Sequence, residues 1–115
     1  MKITSPVVLV QPPIQDYYLT KKRTIPYGLS AIAASLESAG FETQIIDGLA
    51  TNKSKPVDTL ACFNHLTSFY GKKDISLFSL FHEYRHFGYS FEHIATQIKK
   101  LNPFLIGISS LFTPY

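Results

Sequence analysis

TQIKKLNPFLIGISSLFTPY, residues 96–115, contains a helix tail, a turn, a short apolar run and the loop behind it. Leu105, Ile106 and Ile108, with the small Gly107, form the run. Lys99, Lys100, Asn102 and Pro103 bound it on one side, and Ser109, Ser110, Thr113 and Pro114 on the other. A short continuous apolar run between turn signals fits a strand buried on both faces. The spacing predicts a strand over 104–109. In open α/β sheets, ligands bind just outside the carboxyl ends of the strands. The loop Ser109–Tyr115 is therefore the first place to look for function.

Working outward, Phe91, Ile94, Ala95, Ile98 and Leu101 recur at helical spacing behind Ser90, a good N-cap, and predict a helix over 91–101. At the other end of the chain, Val7-Val8-Leu9-Val10 predicts a strand over 6–11. Gln11-Pro12-Pro13 closes it, because proline cannot continue a central strand. Ile14–Lys22 reads as an irregular loop. Leu29, Ile32, Ala33, Leu36 and Ala39 predict a helix over 26–39, with Pro26 at its first position, Thr24 a possible cap and Gly40 a left-handed stop. Ile45-Ile46 marks a strand over 42–47, with Asp47-Gly48 as its exit turn.

Residues 49–88 read as a variable insertion. Thr51–Pro56 is polar and lysine-bearing, as a mobile segment would be. Leu60, Phe63 and Leu66–Phe69 suggest one short helix, and Phe78, Phe81, Tyr84 and Phe87 another.

Strand–helix–strand–helix–strand implies an α/β, Rossmann-like (flavodoxin-like) parallel sheet with right-handed crossovers and helices on both faces. Three strands leave an open edge, so the domain is expected to be incomplete, an N-terminal fragment or split gene product. If the first strand is central, the crevice between Gln11–Tyr17 and Ser109–Tyr115 is the switch point. The alternative order, with the second strand central, leaves the switch point to other strands.

Totals narrow the function. The chain has 115 residues, 45% of them hydrophobic, which is enough for one core. Net charge is +3, and the basic residues are scattered, so no continuous nucleic-acid-binding stripe is present. No apolar run reaches the ~18 residues of a membrane span, and Pro6–Val10 is too short for a signal-peptide core. One cysteine, Cys62, excludes an internal disulfide and fits a reducing, cytoplasmic setting. It is expected to be a small buried hydrophobe. The junction after the first strand lacks the glycines of a dinucleotide site, and no Walker-type loop exists. Asp47 therefore reads as a turn residue rather than a ribose ligand. A phosphorelay receiver is excluded, because prolines and serines stand where its acids belong.

VVLVQPP, the spaced R-x-I-P-Y-G-L, a first helix ending in E-S-A-G, then HFGYSFEHI and NPFLIGISSLFTPY resemble the N-terminal cobalamin-binding domain of B12-dependent radical SAM proteins. The likeness covers most of the chain outside 49–80. It implies a corrinoid held by Pro12, Pro13, Tyr17, Ser109, Ser110, Leu111, Phe112 and Thr113. Ser109-Ser110-Leu111 matches the S-x-L motif of B12-binding domains. The D-x-H-x-x-G motif, whose histidine can ligate cobalt, is absent, as is common in the radical SAM branch. Leu111, Phe112 and Tyr17 suit the apolar corrin face, and Ser109, Ser110 and Thr113 its amide-rich rim. The resemblance further implies a radical SAM domain in the same or a partner chain. The S-adenosylmethionine and 4Fe-4S cluster belong to that domain, so this chain alone is expected to have no catalytic activity.

Two other readings stand beside this one. The first is a ligand-free interaction domain that only docks on a partner. The second is a zinc hydrolase, since His82-Glu83-Tyr84-Arg85-His86 is a literal H-E-x-x-H. On a helix, His82 and His86 would share a face and bind zinc, with Glu83 as base and Glu92 or His93 as the nearest further ligand. His65 and His93 otherwise read as solvated or packing residues.

Overall fold

The computed structural model describes residues 4–16, 25–66 and 84–110. Three parallel strands make the main sheet: β1 (Val7–Gln11), β3 (Thr43–Asp47) and β6 (Leu105–Ile108), in the order β3-β1-β6. The central place thus goes to β1, as the 2-1-3 order requires. Val7 pairs with both Thr43 and Leu105, and Val10 with Ile46 and Ile108.

Helices α1 (Tyr27–Ser38) and α2 (Phe91–Leu101) make the crossovers. Side chains alternate along a strand, and β1 uses both faces. Val7 and Leu9 pack on Leu29, Ala33 and Leu36 of α1. Val8 and Val10 pack on Ile94, Ile98 and Leu101 of α2. Every residue of β1 is buried in consequence. Full burial of each such aliphatic side chain contributes about 1.5–3 kcal/mol. The result is an α/β, Rossmann-like parallel sheet with one helix on each face.

Local signals set the helix ends. After α1, Gly40 takes φ +92°. Its N–H donates to the Glu37 carbonyl, and the Phe41 N–H to that of Leu36, both at 3.0 Å. This pair of bonds closes the helix, and Phe41 and Leu36 join the same apolar cluster. The start of α1 differs from expectation. Pro26 occupies the cap position and no side chain caps the helix; Thr24 lies outside the described residues. For α2, the Ser90 Oγ accepts from the His93 N–H at 3.1 Å. Glu92 in its first turn and Lys99 and Lys100 in its last complement the helix dipole.

Three expectations within 14–88 give way to a second, antiparallel sheet, β2 (Ile14–Asp16), β5 (Arg85–Phe87) and β4 (Ser54–Pro56), in the order β2-β5-β4. Ile14 begins a strand rather than a loop. The lysine-bearing 51–56 segment supplies an edge strand, where Pro56, which has no N–H to donate, costs the ladder nothing. The stretch ending at Phe87 is extended rather than helical. Tyr84, His86 and Phe87 are all buried, and pairing with two neighbouring strands overrides the helical spacing. Ala61–Leu66 is a 3₁₀ turn, and Cys62 within it is exposed, not buried. The turn's described side chains meet neither sheet's core.

The two sheets meet at glycines. The Gly48 N–H donates to the Gln11 carbonyl at 2.7 Å, and the Tyr89 N–H to the Gly48 carbonyl at 2.8 Å. Gly88, at φ +107°, lies so close that a Cβ there would strike the Gly48 carbonyl oxygen. Only glycine combines that φ with that approach. Around this point Ile14, Leu49 and Phe87 form a separate small core. Strand β6 contrasts with all of this, because Leu105, Ile106 and Ile108 are exposed rather than buried on both faces. It has β1 on one side and no described element on the other.

Candidate functional site

Chain direction and helix placement locate the switch point. From β1 the chain crosses by α1 to β3 on one side; α2 then leads to β6 on the other side of β1. The winding reverses between β1 and β6, so their carboxyl ends flank the crevice. Ser109 stands at the end of β6, and its N–H donates to the Val10 carbonyl at 2.9 Å, extending the ladder by one residue. Ser109 is half-buried, Ser110 exposed and Pro12 half-buried. These three come together at the ends of neighbouring strands.

Pro13 does not join them. It is fully buried, packed beside Gly48 and Gly88 at the junction of the sheets. The loop expected over Gln11–Tyr17 is also shorter, because Ile14–Asp16 is committed to β2. Tyr17, Leu111, Phe112 and Thr113 lie outside the described residues.

Asp47 acts as a turn residue. Its Oδ1 accepts from the Leu49 N–H at 2.9 Å and from Gln11 Nε2 at 3.3 Å. This carboxylate serves the β3 exit and the buried Gln11 amide together.

No protein-family model matches the chain, and no curated protein and no solved structure matches it.

His86 decides the fate of the zinc motif. It lies on β5, not on a helix, so it cannot present a second histidine at the i, i+4 helical spacing; His82 and Glu83 lie outside the described residues. Its Nε2 is 2.8 Å from the Tyr89 carbonyl oxygen, which can only accept, so Nε2 carries the proton and donates. Its Nδ1 is 2.9 Å from Gln15 Nε2 and accepts from that amide. Phe91 meets the ring edge-on at 5.4 Å. Both nitrogens of this buried ring are engaged in hydrogen bonds, which leaves no lone pair for a metal. Among the described residues no three His, Cys, Asp or Glu side chains gather as a metal site.

Sequence reasoning missed a cleft of about 420 Å³ between β4 and the start of α2. Lys53, Lys55, His86, Tyr89, Ser90 and His93 line it. The Tyr89 and His93 rings stack at 4.6 Å, 16° from parallel. The Tyr89 hydroxyl donates to the Ala50 carbonyl at 3.2 Å and holds the ring in place. The available signal was a pair of lysines two apart, Lys53 and Lys55, which both line the cleft once that segment is extended.

Proposed function

We propose that the chain is a cobalamin-binding module, holding a corrinoid at the carboxyl ends of β1 and β6 for a radical SAM domain in the same or a partner chain. The observation that carries this reading is the order β3-β1-β6 with α1 and α2 on opposite faces. Such an order has its ligand crevice beside β1, where Pro12, Ser109 and Ser110 stand. The serine hydroxyls both donate and accept, as an amide-bearing rim requires. Bound cobalamin would supply the methyl-carrying or radical-partner cobalt to the catalytic domain. This chain's own residues bind and orient the macrocycle. Residues 11–16 contain no histidine, so the reading requires a corrinoid held without an imidazole from that loop.

The test is titration with hydroxocobalamin, followed by corrin absorbance and co-elution on gel filtration. The corrinoid is expected to co-elute with the folded chain. Replacing Ser109 and Ser110 together by alanine should weaken binding by roughly tenfold, the worth of one or two hydrogen bonds. A folded chain that never retains the corrinoid overturns the reading.

The exposed apolar side chains of β6 favour a second reading, a ligand-free domain that docks through this edge. A chain that ignores corrinoids yet pairs stably through β6 would establish it.

A further inference from the structure

We infer that the cleft between β4 and the amino end of α2 binds a small molecule carrying a phosphate group. Lys53, the residue before β4, and Lys55 within it both line the cleft, and Lys55 is paired in register with His86 of β5. Both lysines, His86 and His93 line the same concavity, and no carboxylate does. Glu92, the nearest acid on α2, is exposed and outside the lining. Asp47 is spent on Leu49 and Gln11. Among the described residues neither lysine ammonium has a carboxylate partner. Two like charges beside one cleft repel each other, and an anion between them relieves the cost.

The amino end of α2 adds to this field. Ser90, its cap, lines the cleft and takes up the His93 N–H. The N–H groups of Phe91 and Glu92, at the first two helical positions, have no acceptor within the helix. Helix amino ends favour anions through these donors and the dipole.

The cleft is larger than a bare phosphate needs. At about 420 Å³ it falls within the ~300–1,000 Å³ typical of small-molecule sites. The stacked Tyr89 and His93 rings give the organic part a flat wall. No lining residue belongs to β1 or β6, so this site and the corrinoid crevice stand or fall separately.

The test follows backbone amide signals while inorganic phosphate, and separately glycerol 3-phosphate, is added at fixed ionic strength. Saturable shifts are expected at Ser90, Phe91 and Glu92, with glycerol 3-phosphate binding at least as tightly as phosphate. Lys53→Ala combined with Lys55→Ala should weaken binding by roughly tenfold or more, because hydrogen bonds to charged groups are the strong ones. Both side chains are exposed, and the remaining amide signals report whether the double variant is folded. Ser109→Ala should leave this binding unchanged. Shifts that never saturate, an equal response to chloride, or wild-type binding by the double variant would overturn the proposal. Exclusion of glycerol 3-phosphate while phosphate binds would overturn its small-molecule part.

Discussion

Strands β1 and β6 lie side by side, pair in parallel and are both mainly aliphatic, yet Val8 is 0% exposed and Ile108 is 68% exposed. The difference is in their neighbours. Strand β1 has a strand on each edge and a helix on each face. Among the described residues, strand β6 has β1 along one edge only. An apolar run thus specifies extended backbone, while burial is conferred by whatever other elements the chain brings to it.

This contrast can be broken most directly by truncating one side chain in each strand. Leu9→Ala removes a side chain packed on α1 and should cost about 2–5 kcal/mol, read from urea unfolding midpoints. Ile106→Ala, on the exposed strand, should stay within about 0.5 kcal/mol. Equal losses would show that β6 is covered in solution.

A smaller effect tests whether the second sheet belongs to the same cooperative unit as β1. Gly88→Ala forces a side chain into left-handed backbone against the Gly48 carbonyl, and should cost about 1–3 kcal/mol or more. If the sheets unfold together, amide exchange accelerates at Val8 and Val10 as well as at Tyr89. Acceleration confined to Tyr89 and β5 would separate them.

The smallest change concerns the cover that α2 gives β1. Ser90→Ala removes the acceptor for the His93 N–H and should lower stability by about 1 kcal/mol. No measurable loss would mean that packing of Ile94, Ile98 and Leu101 holds α2 without its cap.

Much of the main sheet was legible because its signals are local. Ser90 and the Phe91–Leu101 periodicity gave α2 with its observed bounds, and Gly40 gave the end of α1. The central place of β1 was one of two orders open at the level of sequence, and its pairing with both β3 and β6 decides between them. The second sheet was not legible. Its strands have three residues each and are defined by pairings across the chain, Ile14 with Phe87 and Ser54 with Phe87. No periodicity develops over three residues, and the Tyr84–Phe87 spacing imitates a helix. Of the candidate site, Ser109, Ser110 and Pro12 meet where the strand order requires. Pro13 does not, because its burial depends on Gly48 and Gly88 far along the chain. The H-E-x-x-H pattern misled for the same reason: the tautomer and partners of His86 are set by Gln15 and Tyr89.

The glycine junction has a consequence for how this chain tolerates change in length. Bonds from Tyr89 to Gly48, from Gly88 to Lys53 and from Val57 to Tyr84 tie the two ends of the intervening stretch together in successive rungs. The Val57–Tyr84 bond is the last described rung and closes that stretch at its base. The entropic cost of closing a chain between two fixed points grows only with the logarithm of its length, about 0.6 kcal/mol per doubling. The parallel sheet is thereby insulated from changes of length beyond that base.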